Sequence, residues 1–369
     1  VLDAGVSGKQ ALLGGKGFAV QEEVSSPTTM ERASRLGKRL RESGVNHVLC
    51  IGGGNAMDLA KLAVAMAATP SLEGQLARHG DRGGVVIVPQ TVDARTELSF
   101  VPTTLGTGSE VNTAACYEVD RGDNILDKNL VMLQGLRTSA VAYDPDFLRA
   151  PSWLIAEGLF EPIVRLLTSL VEGNSESAFA DWQGKALLAA AWINLAAGRA
   201  NGFEPEDGDL VSSAMLSAES HSSWALRGRG PAPSSLWFLA NELSMALGVR
   251  KNEASALLLG PWVGAVLASR EVWGSKERLL QLWPELSGVS GRSVADALAW
   301  PFLTPNTRRR VITLSGDEKV ALSHDLASRT MLRFGHGRPM KKELIHSELA
   351  DLFEAGLTVP DMQESGAGR

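Results

Sequence analysis

Cysteine is nearly absent from this 369-residue chain, which contains only Cys50 and Cys116. Two thiols in a chain of this length do not make a disulfide framework; they point to a reducing compartment. Neither has a CxxC partner, so both read as core packing. No apolar run reaches the length of a membrane span. The N-terminus lacks a basic stretch followed by an apolar one, so no secretory signal is expected, and the expected location is cytoplasmic. The chain begins at Val1, which reads as processing or an incomplete start. An excess of positive charge is also missing. Acidic residues number 42 against 36 basic ones, for a net charge of −6, which argues against nucleic acid as a partner. The run Arg308-Arg-Arg310 reads as a solvated helix end. Histidine is scarce: His47, His79, His221, His324, His336 and His346 are all there are, and none forms an H-x-x-x-H or H-E-x-x-H pair. There is no short-period repeat.

The remaining composition is ordinary for a globular protein, with 44% hydrophobic and 21% charged residues. The length allows two domains with substantial cores. In the first third, strand-like and helix-like segments alternate. Pro27 to Ser43 carries Met30, Ala33, Leu36 and Leu40 at helical spacing, with Thr28 or Thr29 as cap. His47-Val-Leu-Cys-Ile51 reads as a buried parallel strand, and Asn55 to Ala68 as a helix. Val85-Val-Ile-Val88 and Ala140-Val-Ala-Tyr143 read as further buried strands. This alternation predicts a doubly wound α/β domain. After Asp144-Pro145 the strand signals fade and long helical stretches follow, such as Trp182 to Ala197 and Leu236 to Leu247. All nine tryptophans lie in this later part. The expected organisation is an α/β domain over 1–145 and a helical domain over 146–369, frayed from about Pro360.

Two stretches carry the chemistry. In Ile51-Gly-Gly-Gly-Asn-Ala-Met-Asp-Leu-Ala-Lys61 an apolar strand runs through glycines into a helix. Gly52, Gly53 and Gly54 have no Cβ to keep a ligand from the backbone. Asn55 is a good N-cap, and Asp58 completes a capping-box-like pair. The free amides and positive dipole end of that helix would face a pyrophosphate. A tight structural turn explains three glycines equally well, and the spacing differs from G-x-G-x-x-G. The second stretch, Pro102-Thr-Thr-Leu-Gly-Thr-Gly-Ser-Glu110, offers hydroxyls from Thr103, Thr104, Thr107 and Ser109, while Gly106 and Gly108 open the backbone. Its place after Phe100-Val101 suits the ligand edge of a parallel sheet.

Together these stretches resemble a known family. Gly52-Gly-Gly-Asn-x-x-Asp-x-Ala-Lys61 resembles the GGGSxxDxAK motif of the iron-containing (type III) alcohol dehydrogenases, and Pro102 to Val111 is similar to that family's PTTAGTGSEV. Asp144-Pro145 resembles the DP that closes its nucleotide domain. The resemblance implies a Rossmann-like N-terminal nucleotide domain followed by a helical C-terminal domain, the dehydroquinate synthase-like fold. It also implies a nicotinamide cofactor and a homodimer. By position, Gly53, Gly54 and Asp58 would hold the pyrophosphate region, and Thr103, Thr104, Thr107 and Lys128 would contact the cofactor. Asp3 resembles the strand-end aspartate that accepts from the adenosine ribose. A carboxylate there repels a 2′-phosphate, so NAD is expected rather than NADP; an ordinary turn aspartate is the alternative. By that resemblance, about thirty residues including the first strand would be expected before Val1.

The family's metal ligands, one Asp and three His, do not align. In Gly158-Leu-Phe-Glu-Pro-Ile-Val-Arg165, Glu161 takes the Asp place and Arg165 the first His place. In Leu239-Ala-Asn-Glu-Leu-Ser-Met-Ala-Leu-Gly248, Asn241 matches the next ligand and Met245 a proton-relaying histidine. The last ligand falls near Asn252 or Glu253. Arginine has no lone pair to give, and an amide is a poor substitute for imidazole, so no metal is expected. Arg165 would supply fixed charge or clamp a carboxylate, Glu161 would orient it or act as a base, and His221 would move a proton. The plainer readings are a Glu–Arg pair on a helix face and a packed histidine. Trp224, Trp237 and Trp262 are candidates to line a substrate pocket.

The leading expectation is an NAD-dependent oxidoreductase interconverting an alcohol and a carbonyl without metal. Its substrate would be a small molecule or a peptide C-terminus, with no nucleic acid or membrane involved. If Arg165 clamps a carboxylate, a β-hydroxy acid fits, and its β-keto product readily loses carbon dioxide. Leu239 to Gly248 resembles family members in daptide-type natural-product biosynthesis, where the substrate is a precursor peptide's C-terminal threonine. Two other classes stay open: a non-catalytic nucleotide-binding subunit of a biosynthetic complex, and an NAD-using synthase or lyase related to dehydroquinate synthase.

Overall fold

The computed structural model describes residues 1–5, 20–25, 27–80, 83–88, 95–120, 126–173, 177–222, 226, 229, 234–286, 291–335 and 344–358. Trp224, His336 and the polar stretch from Pro360 lie outside them. The chain forms two compact units, residues 1–163 with 182–226 and residues 164–181 with 227–369. The change from strands to helices falls where the sequence places it, since every strand among the described residues precedes Ala142. Compactness does not follow a single cut near 145, however. Two helices of 21 and 23 residues each contribute to both units.

The first unit begins with β1 (Leu2–Asp3), β2 (Glu23–Val24), α1 (Met30–Glu42), β3 (His47–Gly52), α2 (Gly54–Ala68) and α3 (Leu72–Gly80). It continues through β4 (Val85–Ile87), β5 (Glu97–Pro102), β6 (Ala114–Asp120), β7 (Leu126–Met132), β8 (Thr138–Val141) and α4 (Pro145–Leu148). One sheet has five strands in the order β2-β1-β3-β5-β8, and every neighbouring pair is parallel. Thr29 caps α1, its hydroxyl accepting from the Arg32 amide at 3.3 Å. The buried face of that helix carries Ala33, Leu36 and Leu40, which is the spacing seen in the sequence.

The Val85–Val88 run departs from expectation. Its strand, β4, belongs to a separate three-stranded sheet ordered β4-β7-β6, and Ile87 is 61% exposed. β-Branched residues specify an extended chain but not its partner. The antiparallel hairpin β6–β7 supplies the partner here. Cys50 is fully buried and desolvation pushes its thiol up to about 12, so it is an unreactive core residue.

The all-helical part of the chain comprises α5 (Ser152–Glu172), α6 (Ala178–Ala200), α7 (Asp207–Ser222), α8 (Ser235–Leu247), α9 (Lys251–Leu267), α10 (Lys276–Leu282), α11 (Gly291–Ala299), α12 (Pro305–Thr313), α13 (Gly316–Phe334) and α14 (His346–Leu357). The first unit takes α5 through Ile163, α6 from Trp182, and α7. In the second unit α9 packs against α8, α11 and α14. Trp262 of α9 is fully buried there and serves as core. The Arg308–Arg310 run is more than a solvated helix end. Arg310 donates to the Leu247 and Gly248 carbonyls that close α8, and Arg308 stacks 4.0 Å over the Trp300 ring.

Candidate active site

Parallel strands bring their C-terminal ends to one edge of the sheet, which is where α/β folds bind ligands. Asp3 ends β1, Gly52 ends β3 and Pro102 ends β5. At Gly52 an added Cβ would come within 2.6 Å of the Ala56 Cβ and 3.0 Å of the Asp3 Cβ. Asp3 holds its own turn, its carboxylate accepting from the Gly5 amide at 2.9 Å.

The two motifs touch directly. A Cβ at Gly53 would meet the Thr104 side chain at 3.0 Å, and one at Gly54 would meet Thr107 at 3.2 Å. The Thr103 amide donates to the Gly52 carbonyl at 3.2 Å. The Thr104 and Thr107 hydroxyls are buried and have no hydrogen-bond partner among the described residues. Native proteins seldom leave such groups unanswered unless a ligand or water answers them.

The helix cap differs from the sequence expectation. Gly53 caps α2, without a side-chain bond, and Asn55 lies inside the first turn. Asn55 is exposed, and its carbonyl accepts from the Thr28 hydroxyl at 2.7 Å. The first amides of α2 therefore carry no protein side-chain cap, as an anion site requires. An uncapped helix start, glycines at contact distance and two unanswered hydroxyls fit a pyrophosphate-bearing cofactor.

Asp58 forms no capping box. It accepts from the Ser109 hydroxyl at 2.5 Å and the Cys116 amide at 2.9 Å, and Lys61 lies 3.3 Å away. The Lys61 ammonium donates to the Ser109 carbonyl at 2.9 Å and also to Asn112 and the Ala114 carbonyl. This buried pair fastens the Thr-Gly loop and β6 onto α2. Lys128 stands opposite Glu118 in the β6–β7 ladder. The Glu118 amide in turn donates to the Thr28 carbonyl, beside the start of α2.

The same loop meets two helices that the sequence did not link to it. Gly106, at φ +89°, lies against Gly158 and Glu161 of α5, and its amide donates to the Ser217 hydroxyl at 3.0 Å. Gly108, at φ +54°, lies under His221 of α7, where a Cβ would come within 2.1 Å of the ring. The His221 Nε2 and Glu161 Oε1 atoms face each other at 3.6 Å, with the two side chains only 4% and 8% exposed. Glu110, next along the loop, is also buried. Desolvation pushes its carboxyl above the ordinary range, with nearby Glu161 adding to the effect. Tyr143 donates to Glu110 at 3.4 Å, and burial and that carboxylate push the phenol up. A cavity of about 520 Å³ is lined in part by Lys61, Glu110, Asn112, Arg137 and Thr138. Thr104, Thr107, Glu161 and His221 are not among its lining residues, so the cradle is separate from it.

The structure thus gathers Asp3, Gly52 to Gly54, Thr103, Thr104, Thr107, Glu161 and His221 in the first unit. Arg165, half-buried later on α5, belongs to the second unit with Asn241, Met245, Asn252 and Glu253. Glu253 is occupied: Oε1 accepts from the Thr304 amide and hydroxyl and from Thr307, and Oε2 from the Arg250 amide. Burial alone would raise its carboxyl, but those hydrogen bonds and Arg250 hold it below the usual range. Asn241 is 1% exposed within α8. Among the described residues, no three or more His, Cys, Asp or Glu cluster in a metal-holding arrangement. Sequence reading missed Ser217, Glu110 and Tyr143, and it read Gly106 and Gly108 only as open backbone.

Residues 8–145 match the model of the iron-containing alcohol dehydrogenase family. Over 105 residues the chain is 36% identical to a 4-hydroxybutyrate dehydrogenase of Cupriavidus necator, an alignment covering 28% of this chain and 26% of that protein. Three solved structures show the extent of the fold. An iron-containing alcohol dehydrogenase from Thermococcus thioreducens has a TM-score of 0.72 at 15% identity, covering 96% of this chain and 91% of the other. An NADH-dependent butanol dehydrogenase A from Thermotoga maritima gives 0.71 at 14%, covering 96% and 90%. A maleylacetate reductase from a Rhizobium strain gives 0.67 at 16%, covering 96% and 88%. The family's model thus matches this chain through the cradle, and the fold of these solved structures matches along nearly its whole length.

Proposed function

We propose that this protein is an NAD-dependent oxidoreductase that interconverts an alcohol and a carbonyl without a metal ion. The observation that carries the reading is the cradle in which Gly53 and Gly54 abut the unanswered hydroxyls of Thr104 and Thr107. The Asp3 carboxylate at the end of β1 supports NAD over NADP, because it would repel a 2′-phosphate. Bound nicotinamide supplies the hydride acceptor or donor. The chain's own residues would hold it: the α2 amides at the pyrophosphate, with the threonine hydroxyls and Lys128 further along the cofactor.

The metal-free part of the reading rests on donor chemistry. Arg165 cannot deprotonate to give a lone pair. The Asn241 amide and Met245 are poor ligands for iron or zinc, and the oxygens of Glu253 are engaged by Thr304, Thr307 and Arg250. In place of a metal, Arg165 supplies the fixed positive charge that stabilises an alkoxide-like oxygen or clamps a substrate carboxylate. We therefore assign a hydroxy-acid substrate, such as the C-terminal threonine of a precursor peptide. Relatives named for 4-hydroxybutyrate and maleylacetate, both carboxylates, support that class.

Titration with NADH, followed by quenching of tryptophan fluorescence, tests the cofactor site. Thr104→Val with Thr107→Val is expected to weaken NADH about tenfold while leaving the melting temperature level or higher, since an unanswered buried hydroxyl favours no fold. Failure of the native protein to bind NADH sinks the reading. One equivalent of tightly held iron or zinc in elemental analysis would overturn the metal-free part alone. Binding without turnover would favour a nucleotide-binding subunit instead.

A further inference from the structure

We propose that Glu161 and His221 hold one exchangeable proton between them, as a single acid–base pair hung on the cofactor loop. The proposal rests on the oxidoreductase reading and names the group that handles the substrate's proton. The two side chains face each other at 3.6 Å and are almost wholly buried. A lone buried carboxylate or imidazolium is costly, whereas a facing pair allows either one charge or one shared proton.

The ring's tautomer follows from its neighbours. His221 Nδ1 lies 2.9 Å from the Ser217 carbonyl oxygen, which can only accept. Nδ1 therefore carries a hydrogen, an assignment made from the hydrogen-bond network. Ser220 supports this arrangement, donating its hydroxyl to the same carbonyl at 2.6 Å and standing 3.1 Å from Nδ1. The atom left to gain or lose a proton is Nε2, the one that faces Glu161. The pair then has two states: a carboxylate opposite a neutral imidazole, or the same two groups with one proton more.

The loop places the pair. Gly108 accepts the ring only because it has no Cβ, and Gly106 does the same for Glu161. Ser217 joins both sides, since its hydroxyl accepts from the Gly106 amide while its carbonyl accepts from His221. Thr104 and Thr107, which touch the glycine turn, lie on that same loop. Other ionisable groups close to the pair are Glu110 and Tyr143, with Glu219 on α7 acting on Tyr143 and Lys61 on Glu110. Glu157 lies one turn earlier on α5.

In the oxidation direction the substrate C–H bond breaks and its electron pair goes with the hydrogen to the nicotinamide, which is reduced. The O–H bond breaks, its proton passes to the pair, and the carbon–oxygen double bond forms. Reduction returns both hydrogens.

The test is the ring 15N spectrum of the full-length, cofactor-free chain labelled in histidine, with His221→Gln identifying the signals. A protonated Nδ1 and a titrating Nε2 are expected. In Glu161→Gln the Nε2 midpoint should fall by one pH unit or more, a tenfold loss of proton affinity. If that variant fails to fold, Glu161→Asp should move the midpoint in the same direction by less. A neutral ring protonated at Nε2, or a midpoint indifferent to position 161, overturns the proposal. Saturating NADH should shift the His221 signals through the shared loop. Unmoved signals while tryptophan quenching reports bound NADH would overturn the coupling. Because the tautomer is read without cofactor, its failure is distinct from failure of the oxidoreductase reading.

Discussion

The two units treat buried carboxylates differently. In the second, Glu242 is fully buried between Arg329 and Arg333, each at 3.2 Å. Asp181 is met by Arg229 and Arg278, and Glu253 by two threonines and the start of its own helix. Those guanidinium partners keep their charge at any pH a protein survives. In the first unit Asp58 and Lys61 make one comparable fixed pair. Glu161, however, faces His221, a partner that can gain or lose a proton, and Glu110 meets the phenol of Tyr143. Fixed charge fastens helices together. An exchangeable proton, beside a loop with unanswered hydroxyls, equips a site for chemistry.

The largest expected effect breaks the fixed side of this contrast. Glu242→Gln removes the buried carboxylate that Arg329 and Arg333 both meet and should cost about 3–5 kcal/mol in denaturant unfolding. NADH affinity per folded molecule should stay level, and a tenfold loss would mean that the charge serves more than architecture.

Gly108→Ala attacks the exchangeable side. Its methyl would collide with the His221 ring at a positive φ, a strain of about 2–4 kcal/mol. Beyond that destabilisation, the His221 nitrogen signals should move away from the Nδ1-protonated pattern. A variant with unaltered signals would show that the ring does not depend on the loop.

The smallest effect separates the units by the sign of their pH response. The carboxyl of Glu253 is held below its ordinary 4.5. Its contribution is present above that value and lost as pH falls through the depressed one. The carboxyl of Glu110 is raised above 4.5, so its contribution is full below 4.5 and lost as pH rises through the raised value. Thr307→Val should flatten the acid side of a stability–pH curve, and Glu110→Gln the side above 4.5. The same side flattening in both variants would contradict the contrast.

Much of the cradle was legible before the fold. Gly53 and Gly54 are constrained by backbone approach, and the strand–turn–helix rhythm around them is local. The cap was misread because Asn55 is a good capping residue in isolation, whereas the chain turns one step earlier at Gly53. Asp58 looked like a ligand contact but holds Ser109 and Cys116, neither of them near it in sequence. Val85 to Val88 announced a strand without naming its neighbour. Gly106 and Gly108 looked like ordinary loop glycines because the helices that crowd them come much later in the chain.

The sequence by itself determined the order of strands and helices and the place of the glycine turn. Each depends on short-range spacing: which backbone can turn, which face is apolar, which residue has no Cβ. Tertiary structure alone decided what Glu161 and His221 are to each other. Packing α5 and α7 onto one loop put their charges within 3.6 Å, and burial gave that proximity its weight. No local pattern encodes either the distance or the loss of solvent.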